Sequence, residues 1–169
     1  MERIRSVPLP LVLLLAGLLS AAVLLPSAFG EPGATAPVTR EALAQTDQVE
    51  GAPQRTLVLS KVTVAPGAEL ALHHHLGTQI ARIASGVLTY TVRDGSVAVR
   101  SGESDQHAKL VRTIRAGQTG RIRGGQWIVE QPSAIHQAAN RGAVPVVIYL
   151  ATLLRKGAPP ATPVAAQAP

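Results

Sequence analysis

Two histidines one residue apart, His73 and His75, stand between Gly67 and Gly86, and a third, His136, lies downstream between Pro132 and Asn140. Successive side chains of a β-strand alternate faces, so His73 and His75 point one way and His74 the other. A His-x-His pair on a strand, joined by a distant third imidazole, suits a mononuclear site for a divalent ion that accepts imidazole nitrogen. Parity places the neighbours: Glu69, Ala71, His73 and His75 share one face, and Gln79, Ala81 and Ile83 share a face of the next strand, with Arg82 opposite. If both faces look into one interior, Gln79 stands beside the histidines and Arg82 stands in water. Glu69, on the histidine face, and Glu130, two residues before Pro132, are candidate acids or bases. The preferred reading of both is a solvated strand end, with Glu69 kept as a pocket candidate. Tyr90 shares parity with Leu88 and Val92 and is the second pocket candidate.

The elements that must position these residues are short strands. Alternating apolar runs between turn signals predict strands over 56–64, 69–75, 79–84, 87–92, 96–100, 110–114, 120–122, 127–131, 136–139 and 144–153. Asp94-Gly95 predicts a two-residue hairpin turn, and 101–109 is the longest expected loop. No stretch of this region has a helical period. Many short strands with Gly and Pro punctuation indicate an all-β double-sheet jelly roll or barrel, built as one domain over 55–156, roughly 100 residues.

The spacing is similar to both conserved motifs of the cupin superfamily, in the manner of single-domain, cupin-2-like barrel proteins. Gly67, His73, His75 and Gly86 match the first motif in register, with Gln79 where the family usually has glutamate. Pro132, His136 and Asn140 match the second, although the Pro-to-His interval is one residue shorter and Ala134 replaces a glycine. The resemblance implies a cupin double-stranded β-helix, with His73, His75 and His136 as ligands of Fe, Mn, Ni or Zn, Gln79 as a fourth, and Asn140 as structural. It implies a metal-dependent, Fe-type dioxygenase acting on a small anionic or enolisable substrate, or else a non-catalytic cupin that binds a small molecule or metal as a sensor or accessory module. No catalytic residue is assigned. Three neutral imidazoles and a neutral amide would leave the ion's charge uncompensated, which favours an anionic chelating ligand. Cupins commonly pair barrels, and the apolar run 144–153 is longer than one alternating face needs. A homodimer through a sheet edge or face is therefore expected.

The flanks read differently. Residues 1–30 carry Arg3 and Arg5, an apolar run and then small residues, the layout of a signal peptide or, alternatively, an N-terminal membrane anchor. The expected location is accordingly periplasmic or extracellular, with membrane contact only through an uncleaved N-terminal segment. Residues 31–54 read as a linker or arm with a helix-compatible stretch over 39–49, and the Ala/Pro-rich 157–169 as a disordered tail. The chain has no cysteine, which excludes disulfides and a lipoprotein anchor on cysteine. Its net charge is +6, and the predicted barrel carries thirteen Lys or Arg against five Asp or Glu. Such an excess would concentrate an anionic substrate. The charges are scattered singly with few aromatics, which is not a nucleic-acid signature. Nucleotide loops, Ser-His-Asp order and Cys-x-x-Cys are absent from the sequence.

Overall fold

The computed structural model describes residues 38–165, so the expected export segment at 1–30, the start of the arm and the last four residues of the tail lie outside the described residues. The strands are β1 (Val38–Thr46), β2 (Arg55–Val64), β3 (Glu69–His74), β4 (Gly77–Ser85), β5 (Val87–Asp94) and β6 (Ser96–Ser101). After a short 3-10 turn at Asp105–His107 come β7 (Lys109–Arg115), β8 (Thr119–Arg123), β9 (Gln126–Glu130), β10 (Ile135–Ala139), β11 (Val146–Arg155) and β12 (Thr162–Pro163). They form a seven-stranded sheet in the order β1-β2-β11-β4-β9-β6-β7 and a five-stranded sheet in the order β12-β3-β10-β5-β8. The expected all-β jelly roll is the observed architecture.

Alternation makes the interior. Along β11, Val146, Ile148, Leu150, Thr152 and Leu154 are buried while the residues between them are half-buried or exposed. Antiparallel register then sets Val62 and Ile83 on either side of Ile148, one row of a core made mainly of Val and Ile. Cross-strand β-branched pairs suit the pleated surface, and each fully buried side chain contributes roughly 1.5–3 kcal/mol. Tyr90 is the one aromatic side chain of this core cluster. Trp127 instead pairs with the exposed Arg82, whose guanidinium carbon lies 5.8 Å from the indole centroid.

The motif glycines mark where the chain turns. Gly67 (φ 78°) follows Pro66 in a turn closed by the Ala68 N–H donating to the Ala65 carbonyl at 3.0 Å. Gly86 (φ 80°) takes the chain from β4 in one sheet to β5 in the other, and a Cβ there would meet the Pro145 carbonyl at 2.8 Å. Asn140 holds the same end of the barrel. Its Nδ2 donates to the carbonyls of Val64 (2.9 Å) and Val144 (2.8 Å), and its Oδ1 accepts from the Gly142 N–H at 2.9 Å. Asn140→Ala would leave three backbone groups unpaired, each costing about 1 kcal/mol or more. The expected outcome is a loss of about 2–4 kcal/mol in urea unfolding with an unchanged fold by circular dichroism.

Three expectations are corrected. Residues 38–46 are not helical; they form β1, antiparallel to β2 at the sheet edge. An available strand edge outweighs the weak local helix preference of Thr, Glu, Ala and Gln. Asp94-Gly95 makes no hairpin, because β5 and β6 belong to different sheets. The end of β5 instead exchanges hydrogen bonds with the turn before β8, Val92 N–H to the Gln118 carbonyl and Gly117 N–H to the Val92 carbonyl. The tail is ordered as far as Ala165, with Thr162 and Pro163 paired to His74 and His73 and the Val164 N–H donating to the Leu72 carbonyl. Backbone hydrogen bonds to an open edge hold it where its side chains could not. β11 lies between β2 and β4, so its apolar run could meet a partner only through its face.

Candidate metal centre

His73 is directly opposite His136 in the β3–β10 register, and His75 follows just after β3. The three imidazoles are buried, with ring centroids 4.4–5.2 Å apart and nitrogens within 4.8 Å of one another. Each Nδ1 faces a backbone carbonyl: Ala71 for His73 at 2.6 Å, Pro160 for His75 at 2.7 Å and Ala134 for His136 at 3.2 Å. A carbonyl can only accept, so each Nδ1 carries the hydrogen and each Nε2 keeps a lone pair. This is the outer bonding that orients histidines toward a metal. The donor set therefore fits a divalent ion of the Fe, Mn, Ni or Zn type. The Pro160 carbonyl comes from the tail, so that segment positions a ligand.

Gln79 faces the same cavity from β4, buried to 4 % exposure, and its Nε2 donates to the His75 Nε2 at 2.9 Å. Its Oε1 is buried without a partner. Tyr90 stacks on His136 with centroids 5.0 Å apart. Glu69 is not in this cavity; it is exposed and paired with Arg141. A bulge explains the parity error. The β3–β10 register shifts between Leu70 and His73, so Leu70 rather than Ala71 turns inward with His73, and Glu69 turns out.

Glu130, expected at a solvated strand end, is instead 3 % exposed in the centre of the site. It sits across from Gln79 in the β4–β9 register and accepts hydrogen bonds from the Tyr90 hydroxyl (2.6 Å) and the Gln79 amide. Its oxygens lie 3.2 Å from the His136 Nε2 and 3.6 Å from the His75 Nε2. The expectation of a site without negative charge is corrected accordingly. One signal was available: if Gln79 faces inward and pairs with β9, its partner must face inward too, but that pairing could not be read from the sequence.

Arg40 is a residue that sequence reasoning missed. It pairs with the inward-facing Val62, which turns it to the cavity lined by the three histidines. That cavity is about 40 Å³. A second, of about 350 Å³, lies between β1 and the tail, with Arg40 and Pro160 in its wall. Burial lowers the pKa of His73 and takes that of His75 down to about 4, in each case against an opposing pull from Glu130. Burial pushes the Tyr90 hydroxyl up. Burial also pushes the Glu130 carboxyl up, but His136, His75 and the bonds from Tyr90 and Gln79 more than offset it, leaving its pKa lowered.

No family model matches the chain, and no curated protein matches it. Among solved structures, it is similar to a cupin 2 domain-containing protein from Halorhodospira halophila, at 15 % identity over 81 % of this chain and 75 % of that one, with a TM-score of 0.50. It is also similar to a cupin superfamily protein from Desulfitobacterium hafniense (17 % identity, 73 % and 84 % covered, TM-score 0.48) and to the polyketide cyclase RemF from Streptomyces resistomycificus (18 %, 77 % and 72 %, 0.49). At these identities the likeness is one of fold. The chain has the cupin double-stranded β-helix fold, with a buried three-histidine group inside it that could bind a metal.

Proposed function

We propose that this protein is an exported metal-dependent cupin, working in the periplasm or outside the cell, that presents one divalent ion to a small anionic or enolisable molecule. The carrying observation is the convergence of three Nε2 lone pairs, each fixed by a backbone carbonyl on the far side of its ring. When bound, the ion supplies a Lewis acid and a template with open positions. The protein's own residues do the rest. Apolar walls from Val62, Leu88, Ile128 and Ile148 exclude water, and Arg40 is placed to bind a carboxylate or enolate at the mouth. Arg40 restores the preference for an anion that Glu130 alone would weaken.

With iron, the activity we assign is oxygenation of such a substrate. A non-catalytic module that binds the ion alone is the second reading, favoured by the 40 Å³ cavity, which has room for an ion but is far below the few hundred Å³ of an ordinary ligand pocket. Metal analysis of protein purified without a polyhistidine tag is the first test, and a chain free of Fe, Mn, Ni and Zn that also takes up none on titration would end the metal reading. Oxygen consumption by the iron form with enolates, catecholates and carboxylates then separates the two activities, since a binding module would raise the melting temperature without oxygen uptake. Arg40→Gln is expected to weaken such anions about tenfold while leaving metal stoichiometry unchanged, measured by calorimetry.

Export rests on residues 1–30, and a mature chain beginning near Glu31 would be seen by intact mass. A full-length product that requires detergent would support the anchor instead. Self-association as a homodimer is supported by the outward face of the seven-stranded sheet, where Leu59 (44 % exposed), Ile80 (48 %) and Tyr149 (41 %) lie on neighbouring strands. Light scattering at micromolar concentration tests it, and a monomer there would remove the dimer.

A further inference from the structure

We infer that Glu130 is a fourth protein ligand of the ion, so that the site is a three-histidine, one-carboxylate centre whose negative charge is delivered from β9. This rests on the metal reading above and names a residue that the histidine spacing does not reach. Gln79 and Glu130 are directly opposed across β4 and β9, and both are buried and face the histidines. Side chains opposed in this way have Cβ atoms about 5 Å apart, so either strand can deliver a group to the same point.

With every Nδ1 donating to a carbonyl, the nitrogens facing Glu130 are lone-pair bearers. A carboxylate oxygen 3.2 Å from the His136 Nε2 is an acceptor set against an acceptor, whereas the 3.6 Å approach of the other oxygen to the His75 Nε2 is bridged by the Gln79 amide. The His136 contact is favourable only with a proton or a metal ion between the two atoms. Arg40 stands on β1 at the mouth, and the described residues place no lysine in the cavity lining. A divalent ion would satisfy the carboxylate and the imidazoles together, and a buried carboxylate left without a cation is costly.

Two further contacts hold the carboxylate in place. The Tyr90 hydroxyl donates to Oε1 and the Gln79 amide to Oε2, which fixes both oxygens toward the imidazoles. Gln79 is thereby a positioning residue: its Nε2 lies between Glu130 and His75, and it holds the carboxylate rather than replacing it.

The test is a charge swap across the register, read by calorimetric titration with Zn²⁺ and by the visible spectrum of the Co²⁺ form. Glu130→Gln is expected to weaken binding about a hundredfold and change the Co²⁺ spectrum. The double variant Gln79→Glu with Glu130→Gln returns the carboxylate from the opposite strand and is expected to recover affinity to within about tenfold of the parent. The pair also guards against a folding defect, because the double variant keeps the buried charge and the side-chain volumes. Parent-like affinity and spectrum in Glu130→Gln would overturn the ligand assignment while leaving the metal reading intact. Equal loss in the single and double variants would likewise overturn it, since affinity would then not follow the carboxylate. A parent that binds neither ion would instead remove the metal reading on which the assignment rests.

Discussion

Alanine at His75 or at His136 is expected to lower metal affinity by a hundredfold or more, while His74→Ala leaves it within about twofold. The asymmetry follows from strand parity and from what holds each ring. His136 is buried opposite His73 and stacked on Tyr90, and His75 is tied to the Pro160 carbonyl. Neither can be replaced by a neighbour. His74 lies on the other side of β3, paired to Thr162 of the tail. Losing one of three imidazoles leaves two nitrogens for a borderline ion that ordinarily takes three or four protein ligands. Equilibrium dialysis with elemental analysis reads all three variants, and equal loss in all of them would sink the assignment.

The fold was legible in the sequence because its strands alternate strongly and its turns carry Gly and Pro. The ten expected strands 56–64 through 144–153 correspond to β2 through β11, with ends shifted by at most two residues. The two strands that were missed, β1 and β12, owe their structure to an edge supplied by the rest of the molecule. Nothing in Thr39–Thr46 or in Thr162-Pro163 signals that edge locally. The same limit produced the Asp94-Gly95 error, since the turn residues report a change of direction and not which strands pair afterwards.

At the site, the histidines could be found from spacing alone, but the charged residues around them could not. Glu69 was misplaced by a bulge, a one-residue event that reverses every side chain on one side of it. Glu130, weighed as an acid or base but placed at a solvated strand end, and Arg40, which was missed, have a different reason. Each faces the cavity because of its cross-strand partner, Gln79 in one case and Val62 in the other, and such partners are far apart in the chain. The consequence reached the chemistry: the expected electrostatics of the site lacked one carboxylate and one guanidinium.

Acidification of the metal-free protein is expected to remove on the order of 3 kcal/mol of stability between about pH 6.5 and 4. Burial lowers His75 to about 4 from an ordinary value near 6.5, and it lowers His73 in the same direction. In that window the unfolded chain takes up protons that the folded chain refuses, so stability rises with pH. The contribution is fully present above pH 6.5 and is lost as pH falls toward the folded value. Glu130, whose pKa is also lowered, carries a further loss in the same direction at lower pH. Its attraction for an imidazolium opposes the effect of burial at His75, but burial is the larger influence there. Urea midpoints in chelator at pH 7.5, 6 and 4.5 measure the slope, and His75→Gln, which cannot titrate, should reduce it. Bound metal should add protection that weakens over the same range, because a protonated imidazole cannot ligate. A flat profile between pH 7 and 5 would mean that the imidazoles and Glu130 already share a proton. The carboxylate would then have its cation without a metal, and its contact with the His136 imidazole would no longer require one.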